Sequence, residues 1–227
     1  MKLNRLTKRV WIYPFEEARD RPNLGYIRGD RWSVAVDAGH SADHVRDFYG
    51  ALKAAGLPLP RLTVLTHWHW DHTFGTGAIH GLSVANRRTN QYLSDFRGRL
   101  EDEGTGFFFG MDESIRREYA DGKPVTVTPA DLVFSGELLL DAGNCPIRLF
   151  QAEAPHTSDS TLIEAPGERV LFLGDATSGV FPEWTMDFER AEKLAQTMRS
   201  VDPKLCVHGH LPPLSTEDVI GIMMEGE

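Results

Sequence analysis

Thr66-His67-Trp68-His69-Trp70-Asp71-His72 closes a short apolar run that begins at Leu62, and its reading decides the fold. Three histidines and one aspartate fall within six residues, interleaved with two tryptophans. In an extended segment alternate side chains share a side, so His67, His69 and Asp71 would project one way and Trp68 and Trp70 the other, with His72 on a neighbouring vector. The indoles can then pack into the body and hold the segment rigid. A lone histidine is ordinarily a satisfied polar group of a loop. Imidazoles and a carboxylate crowded this tightly are costly to bury without a cation among them. Nitrogen and carboxylate donors suit zinc, iron or manganese better than calcium.

Three more apolar runs end in the same kind of group. Ala154-Pro155-His156-Thr157 follows a run that ends near Gln151. Val170-Leu171-Phe172-Leu173-Gly174 leads into Asp175, and Leu205-Cys206-Val207 leads into His208-Gly209-His210. In α/β sheets, ligands gather beyond strand ends.

The rest of the chain supplies the strands and helices that this needs. Val10 to Tyr13, Leu24 to Arg28 and Trp32 to Asp37 read as strands, with Gly29-Asp30 as a hairpin turn. Ser41 reads as an N-cap for a helix carrying Val45, Phe48, Leu52 and Ala55. After strands at Leu62 to Thr66 and Leu82 to Ala85, residues 87 to 121 are charged and helical in two pieces, Thr89 to Glu103 and Asp112 to Ala120. Between these pieces, Gly104-Thr105-Gly106-Phe107-Phe108-Phe109-Gly110 is either a mobile apolar flap or a helix–helix corner whose rings plug the core. The second half holds strands at Leu132 to Phe134, Glu137 to Leu140, Ile147 to Gln151, Ser160 to Glu164, Arg169 to Leu173 and Leu205 to Val207. A type II turn is expected at Pro166-Gly167. Helices are expected at Phe188 to Val201 and Thr216 to Met224, and Glu225 and Glu227 read as solvated charge. Strands and helices alternate in both halves, which argues for a layered α/β body.

The pattern His67-x-His69-x-Asp71-His72, then His156, Asp175 and His210, resembles the metallo-β-lactamase superfamily in its dinuclear, glyoxalase II-like hydrolase style. The resemblance implies a four-layer αββα sandwich, a single domain over 1–227 with a helical insertion at about 87–121, and a metal centre at one edge. It implies His67, His69 and His156 on one divalent ion, Asp71, His72 and His210 on the other, and Asp175 between them, with zinc the expected metal and iron or manganese the alternatives. Asp37 resembles the family's support residue near the metals. His210 is taken as the last ligand because it follows Gly209, while His208 is a substrate contact or a strand-end histidine. Paired ions lower the pKa of a bound water from 15.7 toward about 7 and polarise the bond under attack. Asp71 is then the candidate for orienting that water and accepting its proton.

Composition narrows the partners. The 227 residues carry 24 Lys and Arg against 33 Asp and Glu, a net charge of −9, and no basic run stands out, so nucleic acid is not expected. No apolar run is long enough for a membrane span, and the start of the chain lacks the apolar stretch of a secretory signal. Cys145 and Cys206 lie in or beside apolar runs and in no Cys-x-x-Cys pair, which fits a reducing, cytoplasmic setting. His40, His44 and His80 read as surface groups, His40 within reach of the site mouth. Gly75-Thr76-Gly77-Ala78 lacks the spacing of a dinucleotide turn, and no Gly-x-Ser-x-Gly elbow exists. The expectation is therefore a hydrolase of a small-molecule ester, thioester or lactone, with residues 87 to 121 walling its pocket. Its rivals are a phosphodiesterase of the same fold, a mononuclear-iron thiol- or persulfide-oxidising enzyme, and a non-catalytic metal-binding module.

Overall fold

A computed structural model describes residues 1–225. Sheet one has seven strands in chain order: β1 (Asn4–Arg5), β2 (Val10–Tyr13), β3 (Leu24–Arg28), β4 (Ser33–Val36), β5 (Leu62–Val64), β6 (Leu82–Asn86) and β7 (Leu132–Phe134). β1 to β4 pair antiparallel, and β4 to β7 run parallel. Sheet two has five strands, β8 (Glu137–Asp141), β9 (Pro146–Gln151), β10 (Thr161–Ala165), β11 (Val170–Gly174) and β12 (Leu205–His208). They stand in the order β12-β11-β10-β9-β8, with only β11 and β12 parallel. Helices α1 (Ala42–Ala54), α2 (Trp70–Thr73), α3 (Arg87–Glu103), α4 (Thr105–Met111) and α5 (Glu113–Glu118) belong to the first half, and α6 (Phe188–Val201) and α7 (Thr216–Glu225) to the second.

Strand alternation sorts the side chains into layers. Val34 and Val36 of β4 meet Ile163 and Phe172 of sheet two in the central core, whereas Ala35 faces outward to Phe48 and Leu52 of α1. On β11, Phe172 points inward, and Leu171 and Leu173 point outward to Leu194 and Met198 of α6 and Val219 of α7. Each such fully buried side chain stabilises the fold by roughly 1.5–3 kcal/mol relative to exposure. The result is the expected αββα sandwich: helices, sheet, sheet, helices.

Ser41 caps its helix as read from the sequence, and further helices carry side-chain caps too. Ser41 Oγ accepts from the His44 amide at 3.1 Å and starts α1, and Ser215 Oγ accepts from the Asp218 amide at 3.2 Å at the start of α7. Asn86 Oδ1 accepts from the amides of Arg88 and Thr89 and starts α3 two residues earlier than expected.

Several details differ. The link between β3 and β4 spans Gly29 to Trp32, because the Asp30 and Arg31 amides donate to Gly143 and Ala142 of the second sheet's turn. Pro166–Glu168 is a 3-10 turn closed by Arg169 at φ 53, not a type II turn. The phenylalanine segment is α4: Phe108 is buried against Phe74 and Phe96, so the corner reading holds there. His40 and His44 are fully buried, not surface groups, because Gly39 turns the chain inward and Tyr119 of the insertion covers His40. Cys145 and Cys206 are buried and free. Glu225 is exposed, and Glu227 lies outside the described residues.

Candidate metal centre

The parallel strands β4 and β5 of sheet one and β11 and β12 of sheet two end at one edge of the sandwich. Asp37 follows β4, His67 and His69 follow β5, Asp175 follows β11, and His210 follows β12; His156 lies in the link from β9 to β10. The edge is clamped where the Thr161 amide donates to the Thr66 carbonyl at 2.8 Å.

The histidine-rich segment is not extended throughout, as the sequence had suggested. It turns helical at Trp70, which moves Asp71 away from His67 and His69 and places it beside His72. Trp70 is buried and donates from Nε1 to Ser114 Oγ at 3.1 Å, so the insertion locks this turn. Trp68 lies nearly flat against Phe96, ring centres 4.7 Å apart.

All seven expected ligands converge, in two sets. His67, His69 and His156 form one, and Asp71, His72, Asp175 and His210 the other; within each set one donor atom per residue lies within 4.8 Å of the rest. In the second set His210 Nε2 is 3.0 Å from Asp71 Oδ2 and 3.3 Å from Asp175 Oδ2, while His72 Nε2 is 3.2 Å and 3.4 Å from the same two atoms. In the first, His156 Nε2 is 2.9 Å from His69 Nδ1.

Four of the five imidazoles have a neighbour at their other nitrogen. His156 Nδ1 donates to the Gly179 carbonyl at 2.7 Å, and His72 Nδ1 donates to Asp37 Oδ2 at 2.7 Å. His67 Nδ1 lies 3.0 Å from Thr66 Oγ1, and Thr66 itself bonds Asp37 through its amide and its hydroxyl. One carboxylate therefore braces both sets. His210 Nδ1 lies 3.4 Å from Asp20 Oδ1. Burial, helped by the nearby charge of Asp71, pushes the Asp20 carboxyl up to about 6. The sequence offered no sign of Asp20, which reaches the site from the turn before β3.

These residues fit a divalent cation pair. His67 Nε2, His72 Nε2 and Asp175 Oδ1 are buried without a hydrogen-bond partner, and such orphans are rare unless an ion or a water uses them. Burial, then the neighbouring imidazoles, pushes His67 and His69 well below the usual histidine range, leaving them neutral with lone pairs to offer. Burial works against charge at Asp71 and Asp175 too, yet the imidazoles of His72 and His210 hold both well below the ordinary carboxylate range. The same carboxylates raise His72 and His210, and a field that holds protons there also draws a cation. A side chain at Gly209 would run into Asp175 Oδ1 at 2.1 Å, so only glycine lets His210 close the set.

His208 is a brace for this arrangement. Its Nδ1 accepts from the His210 amide at 3.0 Å, which leaves Nε2 to donate to Ser178 Oγ at 3.1 Å. Burial pushes it down to about 4, so it is neutral near pH 7. Beside it opens a cavity of about 240 Å³, lined by the 177–186 loop, residues 208 to 211 and α7. Residues 87 to 121 do not line this cavity: Phe108 and Ile115 are buried against Leu65 and Ala85, while Tyr92 and Phe96 pack on Trp68 beside His69.

An αββα sandwich with two His/Asp donor sets at one sheet edge defines a metallo-β-lactamase-type protein. The metallo-beta-lactamase superfamily profile matches residues 19–210, and the chain belongs to that superfamily. It is 25% identical over 190 residues to the acyl-coenzyme A thioesterase MBLAC2 of Gallus gallus, a match covering 77% of this chain and 65% of that protein's length. Among solved structures, a metallo-beta-lactamase from Pontibacter korlensis superposes with a TM-score of 0.69 at 15% identity over 98% of each chain. The stereoselective inverting sec-alkylsulfatase Pisa1 from Pseudomonas sp. gives 0.70 at 14% identity, over 99% of this chain and 40% of that one. At such identities the likeness is one of fold. Among the described residues no helix is long and apolar enough to cross a membrane.

Proposed function

We propose that the protein is a dinuclear metal-dependent hydrolase, with zinc as the metal, acting on an ester, thioester or lactone of a small molecule, thioesters foremost. The observation that carries this reading is the pair of adjoining buried donor sets with orphaned Nε2 and Oδ1 atoms. The thioesterase named among the relatives favours the thioester; that protein is longer than the match, so the preference rests on the shared part alone.

His67, His69 and His156 would hold one cation, Asp71, His72 and His210 the other, and Asp175 would stand between them. Such ions supply a Lewis acid for the carbonyl and a water acidic enough to react near neutral pH. Asp71 Oδ2 faces His72 and His210 and would ligate the same cation, which leaves Oδ1 to orient the water and take its proton. Asp37 and Thr66 keep the imidazoles in the tautomers that leave lone pairs free.

The test is a panel of ester, thioester, lactone and bis-phosphodiester reporters with metal content measured in parallel. Hydrolysis of the carbonyl substrates, abolished by a chelator and restored by zinc, is the expected result. Oxygen uptake with a thiol substrate and one iron per chain would replace this reading with the oxidising one. Full metal content without turnover of any reporter would leave a binding module.

A further inference from the structure

The cavity beside His208 and His210 differs in character from the donor sets it adjoins. Trp184, Met186, Leu211, and Ile222 and Met223 of α7 supply its apolar lining. Two of its polar members are engaged with protein: His208 Nε2 bonds Ser178 Oγ at 3.1 Å, and His208 Nδ1 accepts from the His210 amide. Trp184 is an unusual wall. It is 45% exposed, sits at φ 55, and stacks on His156 with the ring planes 12° apart. The pairing of the Val180 amide with the Thr185 carbonyl at 2.8 Å closes the turn that presents it. A bulky residue at positive φ is strained and persists where its surroundings fix it, often beside a ligand.

Size decides what can enter. Pockets that take a whole ligand run to about 300–1,000 Å³. This cavity, at about 240 Å³, takes part of one. A methylene fills about the space of a water, roughly 30 Å³, so the cavity has room for about six to eight carbons. A leaving thiol of cofactor size cannot fit.

We propose that this cavity is the acyl pocket: it takes the apolar chain of a short to medium acyl thioester whose carbonyl lies at the two donor sets, with Trp184 and Ile222 setting the chain length. The proposal rests on the hydrolase reading and adds the acyl class to it. The chain enters past His210 and covers the exposed face of Trp184, and the thiol leaves toward solvent.

The experiment varies the acyl group on one constant small thiol, from acetyl through butyryl, hexanoyl and octanoyl to dodecanoyl, with the metal-loaded protein. Expected is a rise of about fourfold in kcat/KM per added methylene until the pocket is full, then a fall. Ile222→Trp shifts the optimum to shorter chains, lowering the octanoyl-to-acetyl ratio at least about tenfold, and Ile222→Ala shifts it to longer ones. Opposite shifts from one position separate filling of the pocket from loss of folding. Calorimetry on the same proteins gives a readout free of turnover: octanoate binds the wild type more tightly than acetate, and Ile222→Trp removes that difference. A flat chain-length profile, or one that neither variant moves, overturns the acyl pocket while leaving the hydrolase in place. If no chain length is hydrolysed, the hydrolase reading fails, and calorimetry alone decides the pocket: equal binding of octanoate and acetate overturns it, and a preference lost in Ile222→Trp upholds it.

Discussion

The two donor sets lie side by side and are built from different chemistry. The first is three imidazoles, all buried and all pushed toward the neutral form by that burial. The second mixes two carboxylates with two imidazoles, and its His210 retains 26% side-chain exposure. The first can bind a cation only through lone pairs and carries no charge to attract it. The second draws a cation by its field as well, and it reaches the solvent side where substrate arrives. The pair therefore differs in character: a neutral imidazole set deep in the edge, and a charged, partly accessible set beside the cavity.

Asp175 is where this division can be broken most sharply. Its Oδ2 faces His72 and His210, and its Oδ1 is buried with no partner. If Asp175 serves both sets, Asp175→Ala lowers bound metal at both and cuts kcat/KM by about a thousandfold or more. Elemental analysis showing one full site and one empty one would mean that the sets are independent. Removing one donor from each set sharpens the comparison. His67→Ala leaves His69 and His156 beside the shared Asp175, with less charge to hold a cation, so its site should lose affinity the more steeply of the two. His210→Ala leaves Asp71, His72 and Asp175, as many protein ligands as catalytic zinc sites commonly use, so its metal should stay with affinity weakened about 10–100-fold. Equal losses from the two variants, measured by metal titration, would contradict the asymmetry.

Much of the candidate site was legible because His67, His69, Asp175 and His210 stand shortly past apolar strands, which marks the edge where they meet. The αββα layering was legible for the same reason, in alternation such as Val34-Ala35-Val36 and Leu171-Phe172-Leu173. What the sequence hid is decided by contacts between distant segments. His40 and His44 look like polar helix-start residues, and only Tyr119, brought over by the insertion, makes that corner an interior. The insertion is held there by Arg21, fully buried, which donates to Glu118 from Nη2 at 2.6 Å, with Ser41 donating to the same carboxylate. Nothing local to Arg21 predicts a partner so far along the chain. The three phenylalanines left a flap and a core corner both open, and the inward Phe108 favours the corner, while α7, whose apolar face carries no mark of it, lines part of the cavity.

Asp37 tests whether the sets are braced together. It accepts from the Thr66 amide at 2.8 Å and from His72 Nδ1 at 2.7 Å, and through the Thr66 hydroxyl it bears on His67. Asp37→Asn turns an amide donor toward His72 Nδ1, which drives the imidazole proton to Nε2 and blocks its lone pair. Metal affinity at the second set should fall about 10–100-fold, with a smaller loss at the first. Losses confined to the second set would show that Thr66 orients His67 without help from Asp37.

The mildest expected effect concerns Asp159, a fully buried carboxylate that no imidazole meets. Thr89 Oγ1 donates to it at 2.8 Å and Thr157 Oγ1 at 2.7 Å, and these neutral donors do not offset burial, which pushes its carboxyl up to about 6. Asp71 and Asp175, equally buried, go the other way because histidines face them. A carboxyl whose folded value is raised favours the native state below its unfolded value and loses that stability as pH rises through about 6. Asp159→Asn removes the charge, and the threonine hydroxyls can turn to accept from the amide. The variant should therefore match the wild type near pH 4 and gain on it above pH 6, by up to about 3 kcal/mol in denaturant unfolding with metal held saturating. A constant difference across that range would mean that the threonines stabilise the charge fully, and that imidazoles are not what distinguishes the acids of the metal centre.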